Sequence, residues 1–407
     1  MRVRVGVIFG GESVEHEVSI ISAIQAMNKM DQEKYEIVPI YITKDREWYT
    51  GAMLKDIDFY QDLSLIKKYA HNVILYYKKG RFVLQKKGLF KSIVKDIDIA
   101  FPIVHGTNVE DGVLQGYLQT IGIPFVGSNV YASVVGQDKA FMKDIWASSN
   151  IPMTKYVWFY DADYKRDSQS VIKKINALKY PVIIKPATTG SSVGISVADN
   201  EEKLIEGIDD ALQYDSKIVV EEVVENLKEV NIAVMGNYEH QKVSEIEEVL
   251  SDNKFLTYND KYIGSSKGKL KGGKIGVKGA SKGMASTNRK LPAEISDKIR
   301  SEVEKIAVDA FKALGTSGNS RIDFLIDQEQ EKVYINEINS IPGSLAFYLW
   351  DAKGINFTNV LDEMINIGIK EYKRRVSKTH SFKSNILSGF AANGGVKGMK
   401  GAKGKLR

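Results

Sequence analysis

Apolar positions at the start of the chain fall into two rhythms. Val3 to Phe9 reads as a buried strand, Gly10 and Gly11 as a tight turn, and Ser19 to Met30 carries helical apolar spacing. Tyr35 to Ile42 predicts a second strand, so the chain opens with a strand–helix–strand unit. The stretch 45–95 is less regular, but Val73–Tyr77 and Phe82–Gln85 flank Lys78-Lys79-Gly80 as the arms of a hairpin would. Ile97 to Val104 predicts a further strand ending at His105-Gly106. Gly112 to Ile121 predicts a helix, and Phe125 to Ser128 closes a first α/β domain near residue 134.

From Gln137 the pattern restarts. Lys155–Trp158 and Val182–Lys185 predict short strands around a helix over Ser168–Leu178, followed by a Gly/Ser loop at 188–194 and a helix from Glu201 to Leu212. After Lys217 the strands lengthen: Ile218–Glu222, Glu229–Met235, Arg321–Ile326 and Val333–Asn339. Between them Ile295, Ile299, Val303, Ile306, Ala310 and Leu314 form one apolar stripe. Pro292 suits the first turn of that helix and Gly315 its end.

At 407 residues the chain exceeds one ordinary core, so two or three domains are expected. The absence of cysteine excludes disulfides, thiolate metal sites and cysteine nucleophiles, and agrees with a reducing compartment. No apolar run approaches the roughly 18–20 residues of a membrane helix. The N-terminus lacks the pattern of a secretory signal. A cytoplasmic protein without membrane insertion is the expectation. The net charge of +6 is concentrated in a Lys/Gly tail, 386–407, with Lys397, Lys400, Lys403, Lys405 and Arg407 and no acid. That leaves about +1 for the rest, an ordinary folded surface. A second Lys/Gly stretch spans 261–290. The tail's Lys/Gly run has no interleaved aromatic residues to stack on bases, which argues against nucleic acid as a partner.

Three constellations can carry chemistry. Arg321–Ile326 and Val333–Asn339 flank a polar turn, and as a hairpin they set Asp323 opposite Glu337 or Asn336. Glu337 and Asn339, two apart, share a face. Two carboxylates and a carboxamide with no thiol or imidazole suit Mg²⁺ or Mn²⁺. Lys185, delivered by a strand to the loop ending at Gly194, and Lys139 offer cations beside backbone N–H groups, a phosphate-type site. The loop is not the Walker pattern, and no G-x-G-x-x-G follows the first strand. The third constellation is Gly10 to Ser19, where Glu15 can receive an ammonium at a helix start, with His105 at a strand end in the same domain.

Taken in order, Val7-Ile-Phe-Gly-Gly-Glu-Ser-Val-Glu-His-Glu-Val-Ser19, His105-Gly, Glu110-Asp-Gly112, Gly122 to Ser128, Lys185-Pro, Gly190-Ser-Ser-Val-Gly194, Arg321-Ile-Asp323 and Asn336 to Gly343 resemble the D-alanine–D-alanine ligases of the ATP-grasp superfamily. The resemblance covers roughly residues 3–370. It implies a mixed α/β, three-domain ATP-grasp architecture: an N-terminal doubly wound α/β substrate domain (1–134), a central subdomain (135–216) and a C-terminal subdomain with the metal site (217–385), before the tail. It implies ATP as substrate, two Mg²⁺ ions or Mn²⁺, D-alanine, and a homodimer.

Position by position, the resemblance makes Lys139 and Lys185 phosphate lysines, with Ser192 in the ATP loop. Glu221, Glu222 and Val224 become the adenine hinge and Glu229 the ribose acid. Asp323, Glu337 and Asn339 become the metal ligands. Glu15 would orient the first ammonium through Ser191 and Tyr262, and Arg321 with the Gly343 N–H would form the oxyanion site. His105, Lys261, Tyr348 and Leu349 would contact substrate. Thr107-Asn108-Val109 replaces the usual glycine-rich stretch and Tyr348 stands where serine is common. Those departures keep a D-alanine–D-serine ligase open, and a non-catalytic ATP-binding regulator is the reading from another class.

Overall fold

The computed structural model of the chain describes residues 2–89, 91–250 and 289–382. The 261–290 stretch up to Asn288 and all of the tail from residue 386 lie outside the described residues, as do Lys261 and Tyr262.

The first sheet has seven strands: β1 (Val3–Gly10), β2 (Tyr35–Ile42), β3 (Trp48–Thr50), β4 (His71–Lys78), β5 (Arg81–Lys86), β6 (Ile93–Ile97) and β7 (Ile99–Pro102), in the order β6-β5-β4-β3-β2-β1-β7. β1 lies parallel to β2, to which the His16–Lys29 helix joins it, and parallel to β7, while the remaining pairs are antiparallel. The single strand expected over Ile97–Val104 is broken at Asp98. The Asp98 N–H donates to Arg4 O (2.8 Å), and the Asp98 carboxylate takes the Arg4 N–H and guanidinium. That clamp separates β6 from β7 and turns the two edges of the sheet toward each other.

The second sheet contains β8 (Tyr156–Tyr160), β9 (Val182–Pro186), β10 (Ser196–Ala198) and β11 (Lys217–Glu222), ordered β10-β9-β11-β8 and antiparallel. Val171, Ile175, Leu204 and Ile208 from the Ser168–Ile175 and Glu201–Ala211 helices fill its core. The third sheet contains β12 (Leu227–Gly236), β13 (Gln241–Val249), β14 (Arg289–Lys290), β15 (Gly318–Asp327) and β16 (Lys332–Asn339), ordered β14-β13-β12-β15-β16. One face is apolar: Val230, Ile232, Val234, Ile246, Ile322, Phe324, Ile326 and Ile338 pack on Ile299, Val303, Ile306 and Ala310 of the Asp297–Ala313 helix. Strand alternation then sends the intervening residues to the opposite face.

Pro292 does not enter that helix. Ser296 caps it, accepting from the Ile299 N–H, and Ala293 N–H donates to Ile246 O, so the chain is still bound to the sheet edge at Pro292. Gly315, at φ +65°, follows the helix end as expected. Among the helices outside the predicted elements, two repeat apolar residues at helical spacing. Lys139–Ser148 sends Met142 and Trp146 into the third sheet's core, and Phe357–Val376 sends Phe357, Val360, Leu361 and Met364 into the core of the first sheet. A helix from late in the described chain therefore packs against the first sheet.

Candidate active site

The polar face of the third sheet organises the site. β13, β12, β15 and β16 set Glu247, Asn231, Asp323 and Glu337 opposite one another in a single row. The hairpin register places Asp323 opposite Glu337, and a bulge immediately beyond leaves Asn336 as the extra residue. Arg321 pairs with Asn339 in the next row of the same face. Arg321 grips Asp323 through both carboxylate oxygens (2.6 and 2.7 Å), and Asn339 Nδ2 donates to Asp323 Oδ2 at 3.2 Å. Burial disfavours the Arg321 charge, but Asp323 overrides it and holds the guanidinium charged.

Facing this row are the lysines. Lys139, at the first turn of its helix, donates to Thr189 O (2.9 Å) and lies 3.8 Å from Glu337. Lys185 donates to the bulged Asn336 Oδ1 (3.1 Å) and sits 3.0 Å from Glu221. Glu221 is also 2.9 Å from Lys143 and accepts from Thr154 Oγ1 (2.8 Å). The two lysine contacts are close charge contacts and not well-aligned hydrogen bonds. Burial opposes ionisation of Glu221, yet the two ammonium groups more than reverse it and hold its carboxyl at about 2. Burial pushes the Lys143 ammonium down, against Glu221. The Glu221 side chain is thus the anchor of two lysines, and only its main chain can serve an adenine hinge.

The loop after β9 is held from both sides. Asp215 accepts from the Thr188 N–H and hydroxyl, and Gln137 Nε2 donates to Thr188 O (2.9 Å). Ser191 and Ser192 take positive φ, and Ser191 Oγ donates to Glu15 Oε1. The loop of the second sheet therefore reaches the helix start of the first. Gly106 lies against the same acid: a Cβ there would collide with Ser13 Oγ and approach Glu15 Oε2 to 3.0 Å.

His105 is buried and both ring nitrogens are engaged. Ile341 O lies 2.8 Å from Nδ1 and can only accept, so Nδ1 carries the proton. Nε2 then accepts from Ser22 (3.1 Å), whose oxygen accepts the Ser344 N–H (2.8 Å). Burial lowers its pKa and keeps the imidazole neutral. The geometry gives His105 a positioning role: it ties the first helix to the Ile341–Ser344 loop that carries the Gly343 N–H. Ser344, Leu345 and Ala346 all take left-handed backbone, a strained run held by Asn319 Nδ2 donating to Leu345 O (2.7 Å).

Glu110 supports the same loop, accepting from Ser340 Oγ, Ile341 N–H and Gly106 N–H at 2.8–3.0 Å. Burial pushes its carboxyl up to about 7 from an ordinary 4.5, against the pull of those donors. A carboxyl raised on folding takes up protons between those two values. Its stabilisation is full below about 4.5 and is lost as pH rises through about 7. Glu110→Gln is expected to flatten the fall in melting temperature across that window. Parallel wild-type and variant profiles would remove Glu110 from the account.

Among the other expected residues, Ser192 lies on the loop, and Glu222 accepts the Lys179 N–H (2.9 Å) at the end of β11. Val224 follows β11 and Glu229 lies on the polar face of β12. Tyr348 is buried and donates to Glu247 (3.0 Å), while Leu349 is fully buried in the first core. Lys143, Asn336, Glu110, Glu247 and Arg289 had no assigned role from the sequence. For Lys143 a signal existed: it stands one turn after Lys139 on the stripe that contains Met142 and Trp146.

A mixed α/β sheet followed by two antiparallel sheets, with lysines of one facing carboxylates of the other, is the three-domain ATP-grasp architecture. A family model described as the D-ala D-ala ligase N-terminus matches residues 4–128, and one described as the D-ala D-ala ligase C-terminus matches residues 145–366. A D-alanine–D-alanine ligase of Thermosipho melanesiensis is 37% identical over 386 residues, spanning 94% of this chain and 98% of that protein. Solved structures are similar as well, two of them as follows. The D-alanine–D-alanine ligase of Coxiella burnetii has a TM-score of 0.76 at 25% identity, over 96% of this chain and 99% of that one. The VanG D-Ala:D-Ser ligase of Enterococcus faecalis has a TM-score of 0.73 at 29% identity, over 90% of this chain and 100% of that one. The chain belongs to the D-alanine–D-alanine ligase family.

Proposed function

We infer that this protein is an ATP-dependent ligase that joins two D-alanines to give D-alanyl-D-alanine for peptidoglycan synthesis, releasing ADP and phosphate. The observation that carries the reading is the facing of Lys139 and Lys185 against the Asp323/Glu337 row, with Glu15 brought to the same place by Ser191.

A carboxylate is a poor electrophile, so the first D-alanine attacks the γ-phosphorus of ATP, the β–γ bridge breaks, and ADP leaves an acyl phosphate behind. Lys139 and Lys185 offset charge on the transferring phosphate. Glu15 takes the ammonium of this first substrate, aligned by Ser191. The second D-alanine's amine attacks the acyl carbon and phosphate departs. Arg321 and the Gly343 N–H then face the developing oxyanion, with His105, Glu110 and Ser22 keeping the Gly343 loop in place. No enzyme nucleophile is required.

Asp323 and Glu337 suit a divalent cation in their donor chemistry, hard oxygens with no sulfur or imidazole on one face of two paired strands, and Asn339 would join them through its amide oxygen. Mg²⁺ (two ions) or Mn²⁺ held there would neutralise phosphate charge. Glu222, Val224 and Glu229 are read as contacts to the nucleoside, Ser192 to phosphate, and Lys261 and Tyr262 to the second substrate and the Glu15–Ser191 link. The protein is read as a homodimer of the cytoplasm. Among the described residues no helix is long and apolar enough to cross a membrane.

The test is product analysis with ATP, D-alanine as donor, and D-alanine, D-serine or D-lactate as acceptor near neutral pH. D-Alanyl-D-alanine is expected as the main product. Preferential formation of the D-lactate ester would overturn the reading.

A further inference from the structure

The row of polar residues does not stop at the phosphate end. On β13 it continues to Glu247, two strands from Asp323 and so about 10 Å away. Glu247 accepts from Asn231 Nδ2 (3.0 Å) and from the Tyr348 hydroxyl (3.0 Å), and it pairs with Arg289 Nη1 at 2.6 Å. Arg289 lies on β14 opposite Val249, diagonal to Glu247 on the same face. Its guanidinium stacks 4.1 Å above the Tyr348 ring. Tyr348 in turn stands one helical turn beyond the Gly343 loop, and Arg321 and Tyr348 lie close enough to influence each other's ionisation. The cluster is therefore on the catalytic face, beside the oxyanion groups and on the side away from the phosphate lysines.

Such a cluster has little value as a stability device, since a buried ion pair gives back in desolvation most of what it gains. As a recognition device it is well built. A planar guanidinium, held in orientation by an aromatic face and a buried carboxylate, presents a fork matched to a second carboxylate. The three described cations nearer the reacting atoms are engaged elsewhere: Arg321 with Asp323, Lys185 with Glu221 and Asn336, and Lys139 with Thr189 O and Glu337. We propose that Arg289, stacked on Tyr348 and oriented by Glu247, is a further specificity-determining residue that binds the carboxylate of the second amino acid.

The inference rests on the ligase reading, and the experiment separates the two. D-Alaninamide lacks the carboxylate that attacks ATP, so it can act only as an acceptor. D-Alanine and D-alaninamide are supplied together with ATP, and the ratio of dipeptide to dipeptide amide is measured for the wild-type enzyme, Arg289→Met and Arg289→Gln. Either variant is expected to lower that ratio by about 10–100-fold, the range for a lost charge-assisted hydrogen bond. If Arg289→Met fails to fold, Arg289→Gln, which keeps a donor for Glu247, reports the same quantity. Both products falling together at constant ratio, or a ratio that does not move, would overturn the assignment. A wild-type enzyme that makes neither product would instead refute the ligase reading.

Discussion

Replacing Glu337 by glutamine is expected to lower dipeptide formation by about 10²–10³ while ATP binding stays measurable. Glutamine keeps the size of the side chain and an acceptor oxygen, so what is removed is one negative charge. That charge stands opposite Asp323 and 3.8 Å from Lys139, where the phosphate lysine and the carboxylate pair converge. Its loss weakens the hold on a divalent cation and leaves Lys139 without its anionic neighbour. ATP binding depends on many further contacts and should survive. The measurement is amino-acid-dependent ADP release at saturating Mg²⁺ beside an equilibrium ATP titration. Turnover within a few-fold of wild type would refute the role given to the row.

The second large effect is on stability. Glu221→Gln should destabilise the fold by about 3–5 kcal/mol, because it strands the buried ammonium of Lys143 and loosens Lys185. The carboxylate lies 2.9 Å from the first and 3.0 Å from the second, and Lys143 is fully buried. A neutral amide can still accept from Thr154 but cannot offset either charge. The pH dependence has a definite sign. Glu221 is held at about 2, below its ordinary 4.5, so its contribution is present above about 4.5 and is lost as pH falls toward 2. The variant should therefore lose less stability than wild type on acidification across that window. Denaturant unfolding at neutral pH checks the first claim; a loss below about 1 kcal/mol would show that Lys143 finds another partner or unloads its proton.

Strand alternation made much of the site readable in advance. Asp323, Glu337 and Asn339 could be set on one face because side chains on a strand repeat every two residues, and the turn between the strands is short. The exact partner of Asp323 was not readable, because the register depends on a bulge. The structure puts that bulge at Asn336, where the amide oxygen meets Lys185. Glu221 was legible as a family position but not in its side-chain role. Its partner Lys143 lies on a helix far off in sequence; the stripe it shares with Trp146 turns it inward, but nothing local names the carboxylate it meets. His105 shows the same limit. A histidine at a strand end suggests a ligand, and only the packing of Ile341 and Ser22 against it reveals that both nitrogens are taken.

The order of residues along the chain by itself determined the local elements, the oxygen-only donor set, the phosphate-type loop after Lys185 and the absence of any cysteine chemistry. Those follow from periodicity, residue chemistry and turn preference, which act over a few positions. The tertiary structure alone decided which faces meet. It aligned Glu247, Asn231, Asp323 and Glu337 across four strands and brought Ser191 from the second sheet to Glu15 at the first. It also returned the Phe357–Val376 helix to the core of the first sheet. An apolar stripe states that a helix must be covered, and it does not state by what. That choice is made by the complementarity of surfaces distant in sequence, and the candidate site lies where those surfaces join.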